Sequence, residues 1–461
     1  VIFASFVFLF GFLPLFLACY YALPRGTARN LFLTLASYLF YGWWRPDFVL
    51  LMAFSTLVDY GCARAMGSAD ERRARRPWLW VSVVTNLGLL GWFKYANLAV
   101  AALGDLRGSG IEGWTAVVLP VGISFYTFQS MSYTIDVYRG EVRPVRSLID
   151  LACYVSMFPQ LVAGPIVRYR DVQRQVRQRV ENLDMFARGV AMFAIGFAKK
   201  VLIADNAALL AEPVFAAKVN GLVDSWIGVG AYAVQIYYDF SGYSDMAIGL
   251  GMLIGFRFPR NFDSPYKSES ITEFWRRWHI SLSTWLRDYL YVPLGGNRRG
   301  EVRTYANLAT TMLLGGLWHG AAYNFVIWGA YQGLFLVFER LTGKAPVYAR
   351  LWRPLRVGIT FAIVLGGWAV FNVKDMAGLG RIWGGMLGLG GLGAWPAAAS
   401  HPAEAWIAVL VGLALAFGAP TTERLCRRLG ARTAVFACAV LFVALGQLAT
   451  RDYSPFIYFQ F

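Results

Sequence analysis

Charge is scarce in this chain. Of its 461 residues, 15% are Asp, Glu, Lys or Arg, while 57% are hydrophobic and 16% aromatic. Soluble domains carry about 25% charged residues, so a water-soluble globule is excluded, and intrinsic disorder more firmly still. Cysteine is sparse and unpatterned: Cys19, Cys62, Cys153, Cys426 and Cys438 contain no C-x-x-C pair, and neither a disulfide framework nor a metal site is expected. No P-loop, Rossmann fingerprint, G-x-S-x-G or H-E-x-x-H occurs in a supporting context. Internal repeats of the inverted-transporter kind and low-complexity linkers are missing too, so residues 1–461 read as one domain.

What the chain has instead is long apolar runs, each near one membrane thickness. Residues 1–24 carry no charge before Arg25, and Cys19-Tyr20-Tyr21-Ala22 makes a poor signal-peptide cleavage site. Further charge-free runs cover 77–93, 357–373, 405–422 and 433–450, with additional passes expected near 30–44, 48–64, 115–137, 184–210 and 226–255. Thr304 to Phe338 fits two short passes folded back at Gly315-Gly316-Leu317-Trp318-His319-Gly320. In 148–165 the breakers Pro159, Gly164 and Pro165 suit a re-entrant or interfacial piece better than a crossing. The expected fold is an all-α, polytopic integral membrane protein of about 11–12 transmembrane helices with re-entrant and interfacial additions.

The formal charge of +16 comes from 43 Lys and Arg against 27 Asp and Glu. In such a protein that excess marks cytoplasmic loops, and no nucleic-acid partner is expected. Arginines cluster at 64–76, 168–179, 340–356 and 424–432. With these loops inside, 104–114, 211–224 and 374–403 fall outside, and both chain ends are expected outside.

An ionisable group at the bilayer centre costs roughly 2.5–3.5 kcal/mol, so the exceptions carry information. His319 is the only Asp, Glu, Lys, Arg or His between Arg303 and Glu339, at a glycine-rich turn. It reads either as a buried histidine bonded to a neighbouring helix or as a neutral imidazole able to take a proton from a hydroxyl. His279 lies in Ser270–Tyr289, which opens with an S-x-x-E capping box at Ser270 and Glu273. Apolar residues recur there at three- and four-residue spacing, predicting one amphipathic interfacial helix over about 270–290 with His279 bordering the apolar stripe. His401 reads as a solvated outer-loop residue. Asp239 and Asp245, six residues apart in an apolar pass, predict a polar seam or ion pairs to nearby arginines.

Several stretches together resemble the membrane-bound O-acyltransferase family. Within it, they resemble the branch of bacterial alginate O-acetyltransferase membrane subunits and their polysaccharide-modifying relatives. They are Ile123-Ser124-Phe125-Tyr126, Asp239 to Met246, Phe274 to Ser281, Tyr289-Leu290-Tyr291 with Leu294 to Asn297, Gly315 to Ala321, and the closing Tyr453 to Phe459. The resemblance implies a ring of helices around a central tunnel, with the catalytic portion at about 115–340. It implies that His319 is the catalytic histidine and His279 the second polar position of the active site.

The implied activity takes acetyl from a cytoplasmic thioester, with acetyl-CoA the expected donor and no tightly bound cofactor. Acetyl is delivered across the bacterial inner membrane for O-acetylation of an exopolysaccharide, alginate foremost, directly or through a periplasmic acetyltransferase partner. Another glycan such as cellulose, or a polymer or lipid transporter without acyl chemistry, remains the alternative. His319 is expected to act as general base, and His279 to orient the thioester or polarise its carbonyl. Arg276, Arg277 and Arg287, with Arg298 and Arg299, form a basic rim suited to the phosphates of coenzyme A or to lipid headgroups, with Trp278 and Trp318 beside them.

Overall fold

The computed structural model describes residues 3–43, 45–69, 71–108, 113–343, 346–393, 402–450 and 456–457. His401 and most of the closing Tyr453–Phe459 motif lie outside the described residues. Every regular element among those described is helical, and the chain forms two compact units.

The first unit comprises Val1–Val190 and Met246–Pro259. It holds α1 (Val7–Ala22), α2 (Thr27–Gly42), α3 (Asp47–Ser68), α4 (Arg72–Arg107), α5 (Ile123–Arg139), α6 (Leu148–Ser156) and α7 (Tyr169–Arg177). The pass expected at 115–137 begins only at Ile123, because Pro120 and the left-handed Gly122 (φ +79°) precede the helix. At nine residues, α6 is too short to cross a bilayer, as its breakers indicated. The turn after it inserts Phe158 among the rings of Phe16, Phe12 and Phe40, at 5.0, 5.4 and 5.5 Å between centroids. Asp59 on α3 is fully buried and accepts from Ser82 (2.6 Å), from the Asn86 amide (2.9 and 3.0 Å to its two oxygens) and from Ser130, which binds α3, α4 and α5 through one carboxylate.

The second unit comprises Ala191–Asp245 and Arg260–Phe461. The helix α8 (Leu183–Ala198), which begins in the first unit, continues here through a wider-wound π segment, Lys199–Ala204, into α9 (Asp205–Ala216). Then come α10 (Leu222–Leu253), the short α11 (Ile271–Arg277) and α12 (Ile280–Leu286), and the hairpin of α13 (Glu301–His319) and α14 (Tyr323–Leu341). The set closes with α15 (Arg353–Asn372), α16 (Met376–Met386), α17 (Ala403–Gly418), α18 (Thr422–Cys426) and α19 (Ala431–Thr450).

Three expectations are corrected in this unit. Asp239 and Asp245 pair with lysines, not arginines: Lys200 Nζ lies 2.7 Å from Asp239 and Lys199 Nζ 2.6 Å from Asp245. Gly242 sits between the two carboxylates, where a Cβ would come within 2.7 Å of the Gly196 carbonyl. Its lack of a side chain brings α10 onto the lysine-bearing backbone. The fold-back at 315–320 is also later than expected. Helix α13 runs through Gly315 and Gly316 to His319, and the turn is confined to 320–322.

The third correction concerns 270–290, which is not one helix. It breaks at Trp278 and His279, the latter in the left-handed region at φ +42°, ψ +55°. The break is held by a bridge to an extended segment: Asp263 N–H donates to the Arg277 carbonyl (3.0 Å) and Ile280 N–H to the Asn261 carbonyl (2.9 Å). Tertiary bonds thus override a sequence pattern that is helical throughout.

Among the described residues, α3, α4, α15 and α19 are long and apolar enough to cross a membrane by length and composition, with Val7–Ala22 and Ala403–Gly418 as shorter apolar helices. The remaining helices carry polar residues such as Asp239 and Asn307, which are buried against protein.

Candidate active site

The site assembles on the broken stretch and the hairpin beside it. Ser270 caps α11 by accepting the Glu273 N–H at 3.0 Å. Glu339, buried on α14, takes the Ile271 and Thr272 N–H groups at 2.6 and 2.9 Å, so a carboxylate answers the positive end of the helix. Trp275 Nε1 adds a bond to Gln332 on the same hairpin helix at 3.2 Å. These ties fix α11 against α14 and set the chain direction into His279.

The hairpin presents His319. Gly316 and Gly329 let α13 and α14 approach closely: a Cβ on Gly316 would lie 2.2 Å from the Phe325 carbonyl oxygen, and one on Gly329 2.5 Å from that of Met312. The His319 ring, 6% exposed at the last turn of α13, is walled by Trp318, Trp328 and Phe371, each 5.1–5.2 Å away between centroids. His279 is fully buried and lies 6.5 Å from His319, ring centre to ring centre. Phe240 meets the His279 ring edge-on at 4.7 Å, and Trp318 lies 5.9 Å from it. Outside the spanning helices, burial pushes the His279 imidazole well below the usual histidine range, so it is neutral. Its Nδ1 lies 3.1 Å from Asn261 Oδ1.

A cavity of about 530 Å³, in the size range of small-molecule sites, adjoins His319; His279 lies behind it and is not part of the lining. His319 and Gly315 line it together with Trp275, Trp328, Leu282, Leu286, Met312 and the hydroxyls of Ser283, Thr284 and Thr311. Arg276 and Arg287, both exposed, line it as well. Arg287 is paired with its neighbour Asp288 at 2.7 Å, whereas Arg276 makes no ion pair among the described residues.

The other candidate residues stand elsewhere. Arg277 is held by Glu273 (2.8 Å) and the Asp263 carbonyl (3.0 Å) and does not reach the cavity. Trp278 is buried among Phe262, Trp368 and Phe274, at 5.0, 4.8 and 5.6 Å, because the backbone break turns it into the core. Trp318 contacts both histidine rings but not the cavity. Arg298 and Arg299 are exposed beyond α12 and do not line it. The polarising role expected of His279 also meets an obstacle, since an Nε2 that donates would need its proton there while Nδ1 accepts, and Nδ1 faces an oxygen. Asn261, Gln332 and Glu339 support the site without having stood out in the sequence. Glu339 had a faint signal, as the charge that ends a 35-residue uncharged run apart from His319.

Two histidines in a buried aromatic setting, with one of them lining a cavity that has an arginine-bearing rim, make this the candidate site. The family description "MBOAT, membrane-bound O-acyltransferase family" matches residues 79–373, and the chain belongs to that family. It is a multi-pass membrane acyltransferase. It is 46% identical to "Probable alginate O-acetylase AlgI" of Pseudomonas putida, over 100% of both chains. To the protein of the same name in Pseudomonas aeruginosa it is 51% identical, over 84% of this chain and 75% of that one. A "Peptidoglycan O-acetyltransferase" of Helicobacter pylori is 35% identical, over 84% of this chain and 80% of its own.

Proposed function

We propose that this acyltransferase takes acetyl from a cytoplasmic thioester, acetyl-CoA, and delivers it across the bacterial inner membrane for O-acetylation of an exopolysaccharide, alginate foremost. The names of its relatives support a polysaccharide acceptor. The loops rich in arginine support a cytoplasmic face for the donor. The acetyl passes either directly to a sugar hydroxyl or to a periplasmic acetyltransferase that completes the transfer.

The observation that carries the reading is the cavity, which shares its lining between the buried His319 and the exposed Arg276 and Arg287. The arginines offer charge to the donor's phosphates, and the apolar and hydroxyl-bearing wall takes its flexible arm. His319 accepts the proton of the incoming hydroxyl as its oxygen attacks the thioester carbonyl. The carbon–oxygen bond forms, the carbon–sulfur bond breaks, and the imidazolium returns the proton to the departing thiolate. General-base help of this kind contributes roughly 10²–10⁴-fold. The aromatic wall around His319 excludes the water that would otherwise hydrolyse the thioester.

The test is purified protein in lipid nanodiscs with radiolabelled acetyl-CoA and oligoalginate. His319→Ala is expected to remain folded and lose acetyl transfer by two orders of magnitude or more. Transfer at the wild-type rate by that variant would remove the general base from the scheme.

A further inference from the structure

We propose that Asn261 is a positioning residue that fixes the tautomer of His279, so that His279 presents Nε2 to the reaction as a hydrogen-bond acceptor. The argument starts from the side-chain amide of Asn261. Its Oδ1 lies 3.3 Å from the Ser281 backbone N–H, 2.9 Å from Ser281 Oγ and 3.1 Å from His279 Nδ1, and its Nδ2 lies 3.1 Å from Ser244 Oγ. A backbone N–H can only donate. Rotating the amide by half a turn would set its NH₂ against that N–H, so the oxygen must stand where it does.

An amide oxygen can only accept, and the nearest atom of His279 is therefore a donor. In the neutral imidazole the single proton sits on Nδ1, and Nε2 keeps its lone pair. That Nε2 is buried and meets no hydrogen-bond partner among the described residues. A buried acceptor left open in a folded protein is destabilising, a reason to expect that a ligand satisfies it.

The backbone was shaped for this contact. His279 sits at φ +42° and Ile280 N–H is bonded to the Asn261 carbonyl, so both the main chain and the side chain of Asn261 clamp the break in the helix. An acceptor at Nε2 cannot polarise a carbonyl by donation. It orients a group that carries a hydrogen: the attacking hydroxyl, or an amide N–H of the thioester arm.

This inference rests on the acyltransfer reading for its consequence but not for its first measurement. The chain has three histidines, His279, His319 and His401, so ¹⁵N-histidine solid-state NMR in lipid resolves them, with single Gln replacements at 319 and 401 for assignment. Wild-type protein is expected to show a protonated Nδ1 and a lone-pair Nε2 for His279. A proton on Nε2 overturns the assignment, whatever the activity.

Asn261→Leu is expected to release the tautomer and lower kcat by about 10–100-fold, with KM for acetyl-CoA little changed. Asn261→Asp keeps an oxygen toward Ser281 and His279 and can accept from Ser244, so it is expected to retain the tautomer and recover most of the rate. If Asn261→Leu shifts the tautomer and leaves kcat intact, the positioning role fails. Should the Leu variant not fold, the wild-type spectrum and the Asp variant still decide the matter. Confirmed tautomer with no acetyl transfer by wild-type protein would count against the proposed reaction and not against the Asn261 bond.

Discussion

Three side chains of the first unit converge on Glu181. Arg25 and Arg29 lie 3.1 and 2.5 Å from its Oε2, and the Tyr20 hydroxyl donates to Oε1 at 3.0 Å. Burial works against the charge, but the bond from Arg29, with those from Tyr20 and Arg25, outweighs it and holds the carboxyl below the usual glutamate range. A depressed carboxylate contributes stability that is complete above its unfolded value and is lost as pH falls through the folded one. Glu181→Gln is therefore expected to lower the melting temperature in detergent at pH 7, by the equivalent of about 1 kcal/mol after solvent screening. The difference from wild type should close on acidification below the ordinary glutamate range. A gap that widens in acid would contradict it.

Single residues were legible in proportion to how far they broke the local composition. His319 stands alone in an uncharged run and His279 in an aromatic one, and the fold brings the two rings to 6.5 Å of each other. Asn261 sits among Arg260, Phe262 and Asp263, where one more polar residue draws no notice. Its meaning is purely geometric.

The α13–α14 hairpin turns the same question from single residues to elements. Its two helices could be read from charge spacing, but its glycines looked like a turn and act instead as the surface where the helices meet. Gly316 would press a Cβ to 2.2 Å from the Phe325 carbonyl oxygen, and neither backbone can yield without moving its helix. Gly316→Val and Gly329→Val are expected to cost about 1–3 kcal/mol each, seen as a lower melting temperature and reduced acetyl transfer because His319 rides on α13. Gly358 on α15 has open space around it, so Gly358→Ala should be neutral or gain up to about 1 kcal/mol through helix propensity. Equal loss from all three would mean that close helix approach is not what these glycines serve. The break between α11 and α12 was the least legible element, since no glycine or proline marks it and long-range bonds from 261 and 263 create it.

Taken whole, the molecule has a surface that water would not tolerate. Large apolar side chains stand exposed along its helices, and α19 is the clearest case. That helix is the most apolar of the four candidate spans and only 11% of its most apolar window is buried, with Val435 69%, Phe442 79% and Val443 57% exposed. On a soluble protein Phe442→Asp would improve solubility and change stability little. With lipid as the solvent, the same carboxylate sits in an apolar window and costs roughly 2.5–3.5 kcal/mol on insertion. Phe442→Asp is therefore expected to cut the carbonate-resistant membrane fraction of the protein, while Phe442→Leu leaves it unchanged. The charge-free run at 433–450 announced this helix from composition alone, because bilayer thickness and the cost of charge act on any sequence that must cross. If Phe442→Asp inserts and melts like wild type, residue 442 faces protein or water instead of acyl chains.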